Sequence, residues 1–293
     1  MKKVLILGSS GLLGSSLSRS FPSKFTVIGT HFTHRQESGI ETIFLNVASP
    51  GMFEKIVETV SPQYVINCIG ATSVEECERL PEKAMLLNAI FPFHIAKASR
   101  KFGFRFIQVS TDHYGTADHE TRDELMHPIA LNSYGHSKLT GERLVLDEAP
   151  ATVILRTNFF GLSPRGNHSI LDFAINSLSN STPISGYEDV SFTPIGVTQI
   201  GKFLASEMDR LIPGVLNLSG SESISKFTFL REVAICLGLD PKLVVSARSS
   251  ELTTWVTRPT NLSLDNSTLL SLGFNLPSLK DMIREELSYR VVL

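Results

Sequence analysis

The chain has 293 residues, 42% of them hydrophobic, and a formal net charge of -2. This length fits one large domain or two unequal ones with an ample core, and the charge balance excludes a basic stripe for nucleic acid or a polybasic segment for an anionic membrane. Three cysteines without a CxxC pair indicate neither a disulfide framework nor a zinc site, so we expect a cytoplasmic protein with a small-molecule partner.

Short apolar runs alternate with helical patterns in the first half of the chain, as is typical of βαβ units around a parallel sheet. The predicted strands are 3–7, 25–30, 42–45, 64–68, 104–110 and 152–156, and the predicted helices are 12–20, 51–60, 81–101 and 133–147. We therefore predict an α/β fold, a Rossmann-type doubly wound parallel sheet, with the dinucleotide-binding domain in residues 1–160.

The texture of the sequence changes after about residue 160. Segments such as "GLSPRGNHS" and "SNSTPISGYEDVSFTPIG" are rich in Gly, Pro, Ser and Asn, which indicates long irregular loops. Helices are predicted at 197–211, 226–237 and 279–288. Residues 161–293 are thus expected to form a smaller, mixed α/β substrate-binding region over the carboxyl edge of the sheet, with some later segments returning to the first domain.

The first strand is followed at once by "GSSGLLG", a GxxGxxG pattern that opens a helix. Glycines at this spacing permit a tight turn, close approach to a pyrophosphate and close helix–strand packing, and the phosphates lie at the helix N-terminus. The alternative is an ordinary tight βα turn. We predict a dinucleotide site, with cofactor contacts from Gly8, Ser10, Gly11, Leu12, Leu13 and Gly14.

The end of the second strand, "VIGTHFTHRQ", bears on which dinucleotide is bound. An acidic residue there would bind the ribose 2′-hydroxyl of NAD, but no Asp or Glu precedes Glu37. Thr33, His34 and Arg35 instead offer donors suited to a 2′-phosphate, which favours NADPH over NADH. The alternative for Arg35 is a solvated loop charge.

The fifth predicted strand ends in "VSTD", with Ser110, Thr111 and Asp112 at the edge where open α/β sheets bind ligands. A hydroxyl there can orient a substrate carbonyl. Taken alone, Thr111 is better explained as an ordinary turn residue at a strand end.

The helix that begins in "NSYGHSKLTGE" carries Tyr134 and Lys138 four residues apart, on one face. Reduction of a carbonyl by hydride needs a proton donor, and a Tyr hydroxyl suits that role if its pKa is lowered from about 10. Lys138 is expected to lower that pKa and to hold the nicotinamide ribose. A chance pairing is the alternative, and Thr111, 23 residues upstream, argues against it.

These motifs together resemble the extended short-chain dehydrogenases/reductases, and within them the dTDP-4-dehydrorhamnose reductase type. The resemblance covers nearly the whole chain and is most specific in the second half. It rests on the glycine loop, "NCIGATSVEECERLPEKAMLLNA", "VSTD", "SYGHSKLTGE", "LRTNFFG", "FTPIGV", "SGSESISKFTFL" and "RPTNLSLDNSTLLSLGF".

The resemblance implies roles for further residues. Thr111, Tyr134 and Lys138 match the catalytic Ser/Thr, Tyr and Lys of the family. The resemblance implies that the loop after the fourth strand runs along the cofactor. It also implies a cofactor contact for Ser110, at the end of the fifth strand. The cofactor contacts implied in addition to the glycine loop are Asn46, Val47, Cys68, Ile69, Gly70, Ser110, Tyr134 and Lys138, and the substrate contacts are Asp112, Asn158 and Arg258.

The sequence departs from the family pattern at several points. Asn46 stands where an Asp reaching the adenine is usual, and "DHYG" after Thr111 is one residue shorter than the usual run. The family's acidic residues associated with magnesium or dimer contacts have no clear counterpart, so we predict no metal and leave a homodimer as a possible assembly.

The resemblance implies an NADPH-dependent reductase of a nucleotide-linked 4-keto-6-deoxy sugar, with hydride transfer to the keto carbon and Tyr134 as proton donor. One alternative is an epimerase or dehydratase of a related sugar nucleotide. Another is a non-catalytic NADP-binding regulatory subunit, since the β subunit of methionine adenosyltransferase resembles the same family.

Overall fold

The computed structural model describes residues 1–35, 39–116, 122–166, 169–251 and 255–289. Within them, seven parallel strands form a central sheet in the order β3-β2-β1-β4-β5-β6-β11. The strands are β1 (Lys2–Leu7), β2 (Phe25–His31), β3 (Glu41–Phe44), β4 (Tyr64–Asn67), β5 (Arg105–Val109), β6 (Val153–Arg156) and β11 (Gly214–Asn217). The predicted Rossmann-type α/β fold is confirmed.

Both faces of the sheet are covered by helices, as the continuous apolar strands require. In β1, Val4 and Ile6 belong to one core cluster while Leu5 and Leu7 belong to the other, because successive side chains point to opposite faces. The helices before the middle of the chain are α1 (Leu12–Ser20), α2 (Met52–Val60), α3 (Val74–Arg79), α4 (Pro81–Met85), α5 (Phe91–Phe102) and α6 (Ser133–Glu148).

The later half of the chain contributes five helices and seven short strands outside the central sheet, among the described residues. These helices are α7 (Ile170–Ser179), α8 (Val197–Glu207), α9 (Lys226–Cys236), α10 (Ser267–Ser271) and α11 (Leu279–Ser288). The short strands are β7 (Phe159–Phe160), β8 (Ile184–Tyr187), β9 (Ser191–Phe192), β10 (Ile195–Gly196), β12 (Ile224–Ser225), β13 (Val244–Ala247) and β14 (Asn261–Leu262). They pair as β10-β7, β12-β9-β14 and β13-β8.

The direction of chain winding reverses between β1 and β4, which are neighbours in the sheet. In open α/β sheets a ligand crevice forms at such a reversal, outside the carboxyl ends of the strands. The glycine loop follows β1 and the segment 68–71 follows β4, so the two lie side by side at this edge. Neither segment could be placed beside the other from the sequence without the strand order.

The observed elements differ from the predicted ones where tertiary contacts decide. The helix predicted at 81–101 is one continuous run, but Leu86–Ile90 is a π-helical segment between α4 and α5. The predicted helix 197–211 ends at Glu207. The next strand, β11, was not predicted; it pairs with β6 and completes the central sheet. α8 packs against α1, so this later stretch belongs to the Rossmann layer. No helix among the described residues is long and apolar enough to cross a membrane.

A buried carboxyl lies where α11 meets the start of α8. Glu286 of α11 is 3% exposed and accepts a hydrogen bond of 2.8 Å from the backbone N–H of Thr198. Burial raises the pKa of Glu286 to about 7. Because the folded chain then holds this proton more tightly than the unfolded chain, stability falls as pH rises from about 4.5 to about 7 and the loss is complete above that range.

Glu286→Gln is therefore expected to increase the free energy of unfolding relative to the wild type at pH 8 and not at pH 5. Glutamine keeps an acceptor for Thr198 without a charge to desolvate. The gain between the two pH values is on the order of 2 kcal/mol, measured by urea unfolding. Glu58→Gln, at an exposed position of α2, serves as control, and an equal change at both pH values in Glu286→Gln would contradict the expectation.

Candidate active site

The glycine loop is shaped by a close approach between strand and helix. A Cβ on Gly14 would lie 2.2 Å from the carbonyl oxygen of Gly8, so only glycine fits this position of α1. Thr30 on the neighbouring strand fixes the loop, accepting at Oγ1 from Gly8 N at 3.1 Å and at its carbonyl from Ser9 N at 2.9 Å. The loop is thus held rigidly against the sheet.

The N-terminus of α1 is open to an anion. Its N-cap is Gly11, which provides no side-chain cap, and no acidic residue lies in the first turn. The N–H groups of Leu12 and Leu13 therefore point from a positive helix end without intrahelical acceptors. The Leu13 side chain itself is buried in the core. These features fit a dinucleotide pyrophosphate, held by backbone groups.

The chain after β2 carries the residues expected at the adenosine ribose. Thr33 and Arg35 are both exposed, just beyond a stacked pair of rings, Phe32 and Phe44, whose centroids are 5.9 Å apart. Asn46, after β3, accepts a hydrogen bond from Ala48 N at 3.0 Å, so its amide NH₂ is left as the donor. Val47 packs against the core beneath.

The loop after β4 is fastened by an asparagine that the sequence analysis does not assign. Asn88, in the π-helical segment, accepts from Ala71 N at 2.9 Å and donates to Ala71 O at 3.0 Å and to the Ser137 hydroxyl at 3.0 Å. A Cβ on Gly141 would lie 2.0 Å from Asn88 O, so α6 passes directly against this segment. The π-helical turn thereby joins the predicted cofactor loop to the Tyr134 helix, a common setting for π turns.

The other residues predicted in this loop, Cys68, Ile69 and Gly70, lie beside Lys138. A Cβ on Gly70 would be 3.9 Å from the Lys138 Nζ, and burial raises the pKa of the Cys68 thiol to about 12, with Lys138 opposing the rise. The thiol is therefore protonated at neutral pH. Asn67, fully buried, orients the loop by accepting from Ile69 N at 3.1 Å.

The three predicted catalytic residues meet at the carboxyl edge of the sheet. Thr111 lies next to Tyr134, close enough to influence the pKa of its hydroxyl. Lys138, one turn along α6, donates from Nζ to the carbonyl of Val109 at 2.8 Å. All three are at most 9% exposed. The juxtaposition inferred from motif spacing is present in the folded chain.

The electrostatics of Tyr134 differ from the sequence expectation. Burial raises the pKa of Tyr134, and the group that opposes the rise most is Thr111, not Lys138. Burial also lowers the pKa of Lys138 to about 8, with Glu142 opposing. The expected lowering of the Tyr134 pKa by Lys138 is wrong for this arrangement, because the ammonium is directed at Val109. Tyr134 is fully protonated at neutral pH, as a proton donor must be.

His113 stands against the ring of Tyr134, with ring centroids 5.4 Å apart in an edge-to-face arrangement. Asn132, the N-cap of α6, accepts from Gly135 N through Oδ1 and places its Nδ2 3.0 Å from His113 Nε2. Nε2 is therefore the acceptor, and the proton is assigned to Nδ1. Burial lowers the pKa of His113 to about 4, so the imidazole is neutral and serves to position Tyr134.

The shortened "DHYG" loop is supported by Arg122, which is 1% exposed and which the sequence analysis does not single out. Its guanidinium donates to the carbonyls of Asp112, Tyr114 and Asn261 and lies 4.0 Å from the centroid of the Tyr114 ring. Within the loop the Tyr114 N–H donates to Asp112 O at 2.9 Å, and Arg122, from downstream, supplies further donors to the loop carbonyls. No local sequence pattern marks such a contact.

A buried ion pair underlies α6. Arg156, at the end of β6, binds Glu142 of α6 with Nη2–Oε2 at 2.7 Å, and Ser110 donates its hydroxyl to Glu142 Oε1. The Ser110 side chain is thus directed into the ion pair, and its predicted contact with the cofactor stays a prediction. The pair ties β6 to the helix that carries Tyr134 and Lys138.

The predicted substrate residues fall in two places. Asp112 accepts from Asn158 Nδ2 at 2.6 Å beside Thr111, and burial raises the pKa of Asp112 to about 6. Arg258 is exposed and forms an ion pair with Glu75 of α3. Val256, two residues before it, packs with Tyr134 in a small apolar cluster, so the C-terminal segment covers Tyr134. Among the described residues no group of three His, Cys, Asp or Glu is arranged to hold a metal.

Comparison with known proteins relates nearly the whole chain to one protein family. The family described as "RmlD substrate binding domain" matches residues 1–290. The probable low-salt glycan biosynthesis reductase Agl14 of Haloferax volcanii is 26% identical over 286 residues, covering 94% of each chain. The β subunit of methionine adenosyltransferase 2 from Xenopus laevis is also 26% identical, over 93% of this chain and 83% of its own length.

Among solved structures, dTDP-4-dehydrorhamnose reductase from Bacillus anthracis, in complex with NADP, superposes with a TM-score of 0.85. It is 23% identical and the superposition covers 98% of this chain and 99% of that one. At this identity the likeness shows the shared fold.

Proposed function

Because this chain belongs to the RmlD substrate binding domain family, we propose that it is an NADPH-dependent reductase of a nucleotide-linked 4-keto-6-deoxy sugar. The observation that carries the proposal is the convergence of Thr111, a protonated Tyr134 and Lys138 at the sheet edge beside an uncapped α1 N-terminus. A proton donor, a carbonyl-orienting hydroxyl and a dinucleotide cradle are what reduction of a ketone requires. The match of the family to residues 1–290 supports it.

When bound, NADPH supplies the hydride that is added to the keto carbon of the sugar. Tyr134 donates its phenolic proton to the carbonyl oxygen, which becomes the product hydroxyl. Thr111 hydrogen-bonds the same oxygen and orients the carbonyl, and Lys138 binds the cofactor ribose. Solvent returns the proton to Tyr134 after product release.

The direct test mixes the protein with NADPH and a panel of nucleoside-diphosphate 4-keto-6-deoxy sugars and follows absorbance at the reduced nicotinamide band. Oxidation of NADPH with one of these sugars, one equivalent per sugar consumed, is the expected result. Binding of NADPH without oxidation across the panel would reject the reductase.

A regulatory subunit is the second candidate, and the relative named as a methionine adenosyltransferase subunit favours considering it. Such a protein needs the cofactor-binding fold without turnover. The assay with the sugar panel distinguishes the two candidate functions, since a regulatory subunit binds NADPH without oxidising it. The intact Thr111, Tyr134 and Lys138 support the reductase.

The proposed choice of NADPH rests on the exposed Arg35 after β2. Arg35→Ala is expected to raise the Kd for NADPH about tenfold, since a charge-assisted contact to the 2′-phosphate is lost. The Kd for NADH, which lacks that phosphate, should stay within about twofold. Both are measured by nicotinamide fluorescence on binding.

Arg143→Ala, an exposed arginine on α6, is the matched control and should leave both constants unchanged. If Arg35→Ala weakens NADPH and NADH equally, Arg35 does not read the 2′-phosphate.

A further inference from the structure

Lys226 is a cation of the later half of the chain, at the start of α9. It begins α9, immediately after the N-cap Ser225, and its backbone N–H donates to Val190 O at 2.9 Å. Its Nζ lies 3.3 Å from the centroid of the Phe192 ring, and the residue is half-buried. Among the described residues, this Nζ makes no hydrogen bond or ion pair.

This placement does not stabilise α9. A positive charge in the first turn of a helix opposes the helix dipole, which favours acidic residues there. Burial lowers the pKa of Lys226 to about 8, with the charge of Asp112 opposing. The folded chain thus keeps a lysine where both its position in the helix and its desolvation disfavour the ammonium.

A series of contacts connects the surroundings of Lys226 with the carboxyl edge of the sheet, where Thr111 lies. Phe192, beneath its ammonium, pairs in register with Leu262 of β14. The Arg122 guanidinium donates both to the carbonyl of Asn261, next to Leu262, and to the carbonyl of Asp112. The stretch that contains Phe192 therefore lies beside the loop after Thr111.

A second connection closes the same junction from the other side. Ile195, three residues beyond Phe192, donates its N–H to the carbonyl of Asn158 at 3.1 Å. Asn158 in turn donates to the Asp112 carboxylate at 2.6 Å. Lys226 and the Asp112–Asn158 pair thus flank one site, next to Thr111 and Tyr134.

The charges at this site complement a polyhydroxylated, uncharged group. Asp112 and Lys226 each favour the charged form of the other, yet no ion pair joins them among the described residues. A carboxylate beside the ammonium disfavours a phosphate at this position. A sugar hydroxyl both donates and accepts, so it satisfies Asp112 as donor and Lys226 as acceptor at once.

We propose that Lys226, together with Asp112 and Asn158, binds the hydroxyl groups of the substrate sugar ring. Lys226 is thereby a specificity-determining residue. The inference rests on the proposed function, since it assigns the sugar part of that substrate to a named site. Arg258, the other cation predicted at the substrate, is paired with Glu75 of α3.

The test measures the affinity that the sugar adds to its nucleotide. Calorimetric titrations of the NADP⁺-saturated protein use dTDP, UDP and their L-rhamnose conjugates. For the wild type, a conjugate is expected to bind at least about tenfold more tightly than the matching diphosphate. Lys226→Met, similar in length but without charge or donors, should lose most of that increment with unchanged affinity for the diphosphate.

Lys242→Met, an exposed lysine of the same region, is the matched control and should keep the wild-type increment. Thermal unfolding of both variants verifies that each is folded. Lys226→Arg should keep part of the increment, because the side chain retains a positive charge and hydrogen-bond donors.

Two outcomes overturn the inference: a full sugar increment in Lys226→Met, or no increment in the wild type. Failure of the proposed function has a different signature, because it is read from NADPH oxidation by the wild type. A wild type that reduces a keto sugar while Lys226→Met keeps the increment rejects only the role of Lys226. A Lys226-dependent increment without NADPH oxidation rejects only the reductase.

Discussion

Tyr134→Phe is expected to lower kcat by about 10³-fold or more while the Kd for NADPH stays within about twofold. Loss of the phenolic hydroxyl removes the proton donor, and general acid catalysis contributes about 10²–10⁴-fold to such rates. The ring is retained, so the edge-to-face contact with His113 and the packing with Val256 persist. Steady-state kinetics and nicotinamide fluorescence give the two constants.

Tyr64→Phe is the matched control for this variant, since Tyr64 begins β4 and thus lies at the amino edge of the parallel sheet, opposite the edge that carries Thr111. It should leave kcat unchanged. Normal turnover by Tyr134→Phe would remove Tyr134 from the mechanism, whereas a parallel loss of NADPH binding would assign the residue to cofactor binding and not to proton delivery.

Arg156→Met is expected to reduce the free energy of unfolding by about 3–5 kcal/mol. The substitution leaves the carboxylate of Glu142 buried without its cation, and an uncompensated buried charge is among the costliest single changes in a folded protein. Both side chains of the pair are about 5% exposed, so water cannot replace the arginine. Urea unfolding monitored by circular dichroism measures the loss.

The double variant Glu142→Met/Arg156→Met separates charge from packing. With both charges removed, the stability should return to within about 1–2 kcal/mol of the wild type. Arg100→Met breaks the exposed pair with Glu148 and should cost less than about 1 kcal/mol. If Arg156→Met costs no more than Arg100→Met, the buried pair is not a main support of α6.

The support of the short loop after Thr111 shows what sequence patterns cannot carry. Arg122 lies in a polar stretch that has no apolar periodicity, and a charged residue there is by default solvent-exposed. In the folded chain it is 1% exposed, with carbonyl partners as far along the chain as Asn261. Such a contact depends on where β14 is placed, which no local rule gives.

The positions of Lys226 and Glu286 illustrate the same limit. Each begins or ends a helix that periodicity predicts well, at 226–237 and 279–288. Burial by the surrounding segments sets the direction of each pKa shift, and the groups that oppose it are also distant in sequence: Asp112 for Lys226 and Thr198 for Glu286. The domain assignment of 161–293 likewise stays a prediction, with β11 and α8 joining the Rossmann layer from within it.

The sequence by itself determined the Rossmann-type fold, the first six strands of the sheet, the glycine loop and the pairing of Tyr134 with Lys138. These follow from local physics, because apolar runs, glycine spacing and helical periodicity act between residues close in the chain. Only the tertiary structure decided the seventh strand, the Asn88 clamp on the loop after β4, the buried Arg122 and the protonated state of Tyr134. Those depend on burial and on contacts between distant segments, which exist only once the sheet order brings the strand ends together.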